Sequence, residues 1–393
     1  MQRARRLNSI PPYLFGEVAR MKAKVIAEGR DIVDLGIGDP DQPTPQPIID
    51  KLREYAAKPE THRYDESDAG APAFIDAVGR WYSRRFGVEL DTDSEILLLI
   101  GSKEGLAHLA WAMIDPGDLS LIPDPAYTVY KVNTLMAGGE VAIMPLLAEN
   151  KFLPDLTAIP SDAALRAKLM YINYPNNPTG AVATPEFFAN VVDFAKHYDI
   201  AVCHDCAYSE VSFDGYRAPS FMQTPGAKDV GVEIHSLSKT FNMTGWRIGF
   251  AVGNPDIIAA LRSLKSYIDS KQFAAISLSG AYALDHLNND AALELIRRRR
   301  NILVDGLNSL GWRLEKPKAT FYLWVPVPPG YSSVEFVKAL LQDAGVLAIP
   351  GTGYGTYGEG YVRMSLTVSG DVNGERVAEA VRRIRDNVNI SWG

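Results

Sequence analysis

Lys239 lies in "HSLSKTFNMTGWRIG", just past an apolar run, with Ser236 and Ser238 before it and Arg247 eight positions after. A lysine is ordinarily a surface residue, but here apolar and glycine-rich sequence closes in from both sides. Burial lowers an amine's pKa, and the neutral amine is a nucleophile able to form a Schiff base. Two hydroxyls and a guanidinium close by suit a phosphate dianion. The stretch "GSKEG" at 101–105 opens a helical pattern, so the backbone N–H groups at Ser102 and Lys103 extend an anion site.

Two further stretches end apolar runs with polar side chains. "YINYPNNPTG" closes in a rigid turn of prolines, a glycine and two asparagines, with Asn176 and Asn177 as amide donors. "IAVCHDCAY" ends at Asp205, with Tyr208 three residues on. A carboxylate at the end of a buried strand is costly unless paired. A cationic partner such as a protonated pyridine ring would resolve that cost; so would a helix cap or an arginine.

Stepping from these residues to what must position them, helical and short apolar segments alternate from about 46 to 285. Helices are expected at 46–57, 71–86, 103–114, 127–137, 185–198 and 254–269, and strands at 96–100, 119–122, 141–144, 169–173, 200–204, 231–235 and 247–252. This is an α/β pattern: a mostly parallel, doubly wound sheet with helices on both faces. Ligands of such sheets sit at the carboxyl ends of strands, where the loops after Ile100, Asn173, His204 and Ile234 fall. A smaller α+β unit is expected to follow, with a helix at 290–309, strands near 312–315, 321–325, 346–349 and 361–367, and helices at 333–343 and 373–386. The expected division is an N-terminal arm together with part of the small unit over 1–45, a large unit over 46–285 and a small unit over 286–393.

The 393 residues carry a net charge of −7, which disfavours nonspecific nucleic-acid binding. The dense basic run, Arg297-Arg298-Arg299-Arg300, reads as a solvated helix face with carboxylate partners. No apolar run approaches the length of a membrane span or a signal peptide. Cys203 and Cys206 form C-x-x-C, but no second pair completes a zinc site and no thioredoxin-like pattern surrounds them. Two reduced, buried thiols in a cytoplasmic protein without a metal are the expectation. The run at 353–358 matches G-x-G-x-x-G, yet a strand rather than a helix follows it, so a lid or turn near Arg363 is expected instead of a dinucleotide site.

In their order, "NNPTG", "D-x-A-Y" and "S-x-S-K" followed by an arginine resemble the fold type I, pyridoxal 5′-phosphate (PLP)-dependent aminotransferases of classes I and II, over nearly the whole chain. PLP enzymes of this kind pair a Schiff-base lysine with an acid on the pyridinium nitrogen. The resemblance implies catalytic roles for Lys239, Asp205 and Tyr208. Lys239 would hold the cofactor and shuttle the proton, Asp205 would keep the ring nitrogen protonated, and Asn177 and Tyr208 would bond the ring's phenolic oxygen. Ser102, Lys103, Ser236, Ser238 and Arg247 would hold the phosphate, and Tyr127 would stack on the ring. Tyr64 would reach the neighbouring subunit's phosphate, which implies a homodimer with shared sites. Arg363, in "GYVRMSLT", would bind the substrate α-carboxylate, with Gly38 of "LGIGDP" letting the backbone approach it.

Within that family the wording is most similar to the LL-diaminopimelate aminotransferases of lysine biosynthesis, which use 2-oxoglutarate as partner. The stretches that carry this likeness include "YLFGEVARMKAK", "LGIGDPDQPTP" and "INYPNNPTGAVAT". It implies substrate contacts at Tyr13, Lys103 and Tyr127. Departures stand at Ala126, Thr128, Ile75 and Lys271, the last near the expected substrate region. An aminotransferase for aspartate, alanine or an aromatic amino acid, and a C–S lyase of the same fold, share the same core residues. A PLP-binding regulator does not fit intact Lys239, Asp205 and Arg363 without an added DNA-binding unit.

Overall fold

The computed structural model describes residues 2–8, 10, 14–64 and 71–391. Among them, seven strands form one sheet: β2 (Ile96–Leu99), β3 (Leu119–Asp124), β4 (Glu140–Pro145), β5 (Ala167–Asn173), β6 (Ala201–Asp205), β7 (Gly231–Ser236) and β8 (Gly249–Gly253), with β1 (Val33–Asp34) lying apart from it. Their order across the sheet is β2-β8-β7-β6-β5-β3-β4. Only β8 runs against its neighbours.

The run "ILLL" shows why these strands lack polar alternation. Ile96 and Leu98 point into a core with Phe74, Val78 and Phe188, while Leu97 and Leu99 point into another with Leu106, Leu109 and Ile258. Successive side chains of a strand face opposite sides, so a sheet covered on both faces needs apolar residues at every position. The helices Ala71–Phe86, Pro185–Tyr198 and Ala274–His286 cover one face; Ser102–Met113, Val129–Ala137 and Pro255–Ser266 cover the other. Several start where the sequence says they should. Thr184 caps Phe187 ahead of Pro185, and Asn254 caps Asp256 and Ile257 ahead of Pro255.

A second, antiparallel sheet has the order β11-β12-β9, with β9 at Tyr322–Pro326, β11 at Ile349–Pro350 and β12 at Tyr361–Ser365. Beside it β1 pairs in parallel with β10 (Val346–Leu347). Helices Asp290–Ser309, Ser333–Ala344 and Glu375–Asn387 pack on these strands around Leu303, Phe336, Val362 and Ile384.

Four expectations need correction. No strand forms at 312–315: Trp312 is anchored by its indole to the Pro326 carbonyl, and Leu314 by its amide to Asn308. The expected strand at 346–349 breaks into β10 and β11, which pair in different sheets. Helix Ala274–His286 escaped sequence reading because it is apolar and small on nearly all sides, so it shows no amphipathic stripe. The basic run is not a solvated face, since Arg299 and Arg300 are buried. Arg299 grips both carboxylate oxygens of Asp41 and the carbonyls of Leu366, Val368 and Asp371. Arg300 pairs with Asp214 across the Phe213 ring. Among the described residues no helix is long and apolar enough to cross a membrane.

Candidate active site

The carboxyl ends of β5, β6 and β7 converge on a cavity of about 200 Å³, lined in part by Asp205, Tyr208, Lys239 and Arg363. Gly38, Ser102, Lys103, Tyr127 and Asn177 also line it. Larger surface hollows lie elsewhere, one of them lined by Asp76, Asp93, Arg262, Lys265 and Lys271, but they do not lie at the carboxyl ends of β5, β6 and β7.

Lys239 follows β7 in a single helical turn capped by the Ser236 hydroxyl, which accepts from the Ser238 amide. Its Nζ donates to the Gly38 carbonyl at 3.1 Å. Burial, first, lowers its pKa from 10.5 to about 8; Asp39 opposes this, and Arg363, Arg247 and Lys103 add to it. The amine is therefore largely neutral only slightly above physiological pH.

Asp205 ends β6. Its Oδ2 accepts from the Tyr130 hydroxyl at 2.7 Å, and its backbone carbonyl accepts from Asn173 at 2.7 Å. Tyr130 is itself stacked on Tyr171 with ring centroids 4.8 Å apart. Asp205 Oδ1 is buried and makes no hydrogen bond of ordinary geometry. Desolvation pushes its pKa up, against Tyr130, His204, the Ala207 amide and His235. A buried carboxylate with one oxygen unsatisfied is what a protonated ring nitrogen would complete.

At the other side Arg363, on β12, is buried. It donates to Asn177 Oδ1 at 2.9 Å and to the Gly36 carbonyl at 2.8 Å. Its guanidinium lies against the rings of Tyr322 (4.1 Å) and Tyr354 (4.9 Å). Tyr208 and Tyr322 share a hydrogen bond at 3.1 Å. Gly38 is required for a reason the sequence did not reveal: a Cβ there would stand 2.0 Å from the Tyr322 hydroxyl.

Asn176 differs from expectation. Its side chain closes the turn by bonding Asn173 and Thr179, so only Asn177 faces the cavity. Arg247 lies beside Gly101, whose φ of +91° opens the helix Ser102–Met113; a Cβ on Gly101 would stand 2.2 Å from the guanidinium. A cation, a helix N-terminus and the hydroxyl of Ser102 thus meet at one end of the cavity, a donor set suited to a phosphate. Ser236 and Ser238 are buried nearby but do not line the cavity. Lys103 is exposed, with Nζ above the Tyr127 ring. Tyr64 is 90% exposed and is not among the residues lining the cavity, and Tyr13 lies outside the described residues. The thiols of Cys203 and Cys206 are buried, free and pushed up in pKa by that burial. Tyr130, Tyr322 and Tyr354 were not anticipated. "PDPAYTVY", "FYLW" and the glycine-rich run contain them, but only the folded contacts bring them to the site.

Comparison with known proteins decides the family. Residues 30–384 match the family described as aminotransferase class I and II. The chain belongs to that family. This aminotransferase is 56% identical over 387 residues to the LL-diaminopimelate aminotransferase of Moorella thermoacetica, covering 98% of each chain. It is likewise 56% identical to that of Syntrophobacter fumaroxidans, again over 98% of each. Among solved structures, substrate-bound BacF of Bacillus subtilis superposes with a TM-score of 0.93 at 36% identity, covering 100% of this chain and 99% of that one. A probable N-succinyldiaminopimelate aminotransferase from Thermus thermophilus gives 0.89 at 36% identity, over 95% and 99%. The aminotransferase is accordingly a PLP-dependent transferase with the type I fold.

Proposed function

We propose that this aminotransferase moves an amino group between LL-diaminopimelate and 2-oxoglutarate in lysine biosynthesis, acting as a cytoplasmic homodimer. The observation that carries the substrate is near-complete coverage at 56% identity by relatives of that name.

PLP, when bound, supplies an electron-poor ring that withdraws electrons from the substrate's α-carbon. Asp205 Oδ1, without a hydrogen-bond partner, would face the ring nitrogen and favour its protonated form, while Tyr130 holds the carboxylate through Oδ2. Lys239 holds the cofactor, and its Nζ takes up and returns the proton of the substrate α-carbon; a pKa near 8 suits both directions. Tyr208 and Asn177 orient the ring through its phenolic oxygen. Ser102, Lys103 and Arg247 would hold the phosphate, with Ser236 and Ser238, buried just outside the cavity lining, reaching it only if their hydroxyls turn toward it, and Tyr127 would lie against the ring. Arg363 binds the α-carboxylate as a fork, beside the backbone at Gly36 and Gly38. Lys103, exposed at the cavity mouth, and Tyr13 meet the substrate's distal charged group.

The division into an arm with part of the small unit (1–45), a large unit (46–285) and the rest of the small unit (286–393) is proposed on the separation of the seven-stranded sheet from the two small sheets, one of which pairs β1 with β10. The homodimer is supported by large side chains left exposed at Tyr64, Tyr267, Ile268 and Phe273, of which Tyr64 and Phe273 line one hollow. Free buried thiols fit a reducing compartment. The deciding experiment supplies LL-diaminopimelate and 2-oxoglutarate to the purified holoenzyme and measures glutamate. No glutamate, with brisk transfer from another donor, overturns the substrate assignment.

A further inference from the structure

The run Gly353-Tyr354-Gly355-Thr356-Tyr357-Gly358 has the spacing of a dinucleotide loop but stands between β11 and β12 of the small sheet. It reaches across to the large sheet, where it closes around a carboxylate. Asp124, the buried last residue of β3, accepts from the Thr356 amide at 3.0 Å and from the Tyr357 amide at 2.9 Å. The Ala126 amide donates to the Tyr354 carbonyl at 2.9 Å. Gly355, at φ +143°, is needed because a Cβ would stand 2.0 Å from Asp124 Oδ1, and Gly358 because it abuts the Gly351 carbonyl.

The chemistry of this contact is specific. The Thr356 and Tyr357 amides reach different oxygens, Oδ2 and Oδ1, so an asparagine here would turn an NH2 toward one of the two N–H groups. The carboxylate is compensated by amides alone among its hydrogen-bond partners, so its burial is costly, and desolvation raises its pKa. What the contact holds is Tyr354, which lines the cavity and packs on Arg363.

We propose that Asp124 is a positioning residue: it clasps the 354–358 segment to the edge of the large sheet, seats Tyr354 against Arg363, and thereby sets affinity for the substrate α-carboxylate. This rests on the reading of Arg363 as the carboxylate-binding residue.

The test compares wild type with Asp124→Asn, Thr356→Pro and Arg363→Lys as holoenzymes. Thr356→Pro removes one donor while leaving Asp124 intact; proline is tolerated at the first position of a helical turn, so this variant carries the test if Asp124→Asn does not fold. Glutarate, an unreactive dicarboxylate, is titrated while the absorbance of bound cofactor is followed. Hydrogen exchange of the 351–360 peptide and steady-state kinetics complete the set. In both clasp variants the glutarate Kd and the KM of both substrates should rise about tenfold, as for loss of a hydrogen bond to a charged group, with kcat within about threefold. Exchange should quicken in 351–360 alone. Quickened exchange with unchanged Kd, or unchanged exchange, overturns the clasp. If wild type fails to bind glutarate, or Arg363→Lys binds it equally well, the reading of Arg363 falls and this proposal with it. Weaker binding by Arg363→Lys with wild-type binding by both clasp variants overturns the clasp alone.

Discussion

Replacing Arg363 with lysine keeps a positive charge but removes the planar fork. The guanidinium makes two hydrogen bonds within the chain, to Asn177 and Gly36, and lies against the Tyr322 and Tyr354 rings. A lysine ammonium is a point charge that can neither stack on two rings nor present parallel N–H groups to a carboxylate. The Asn177 oxygen and the Gly36 carbonyl, both in a buried setting, would compete with the substrate for its three donors. Loss of one charge-assisted hydrogen bond to substrate costs about 1.5–3 kcal/mol, and leaving a buried acceptor unsatisfied adds about 1 kcal/mol. The total of about 2.5–4 kcal/mol corresponds to a fall in kcat/KM of roughly 70-fold to 900-fold. Most of it should appear in KM, because the carboxylate is bound in ground and transition states alike. The assay is steady-state transamination with each amino acid substrate, alongside cofactor titration, which should be unaffected. A variant within threefold of wild type in kcat/KM would refute the fork as the carboxylate site.

Three other outcomes follow from the same geometry. Because burial and neighbouring cations lower Lys239 to a pKa of about 8, covalent capture of PLP by cofactor-free protein should speed up as pH rises through 8 and level above it; a rate still climbing beyond pH 10 would contradict a lowered pKa. Asp205→Asn keeps the shape but removes the charge, so single-turnover transamination should slow by about a hundredfold to a thousandfold while cofactor binding persists; near-normal turnover excludes the electrostatic role. Gly38→Ala drives a Cβ into the Tyr322 hydroxyl and should lower unfolding free energy by about 1–3 kcal/mol in denaturant titration; an unchanged midpoint would mean that the Tyr322 side chain moves aside freely.

The sequence made the strand ends legible because β5, β6 and β7 are short segments built on apolar residues that end in Asn173, Asp205 and Ser236 and run into turn-forming sequence. Their loops could be placed at one edge without knowing strand order. The antiparallel β8 was not readable, since an apolar run covered on both faces looks the same in either direction. Arg299 was misread for a related reason: burial of an arginine depends on acceptors from Asp41 and the 366–371 segment, far away in the chain. The tyrosines were hidden likewise. Tyr130 sits one helical turn beyond Tyr127, yet its meaning comes from Asp205, 75 positions later. Local pattern reports periodicity and turn chemistry; long-range hydrogen bonds leave no local trace.

The charges of the site nevertheless obey one rule that joins these parts. Lys239, Arg363, Arg247 and Lys103 are close enough that the latter three act on the lysine's pKa. Such crowding of cations is unfavourable by itself and becomes favourable only with anions between them. The cofactor's phosphate and the substrate's carboxylates are anions of that kind. Burial first, and then these same cations against the pull of Asp39, lower the Lys239 pKa to about 8, so a larger share of the amine is neutral and nucleophilic than for a lysine in water. Anions bound among these guanidinium and ammonium groups would raise the lysine's pKa, which suits the role proposed for it of taking a proton from carbon. Binding and the base strength of Lys239 are thus coupled through Arg363, Arg247 and Lys103, with Asp205, buried at the end of β6, as the one carboxylate among the described residues that line the cavity.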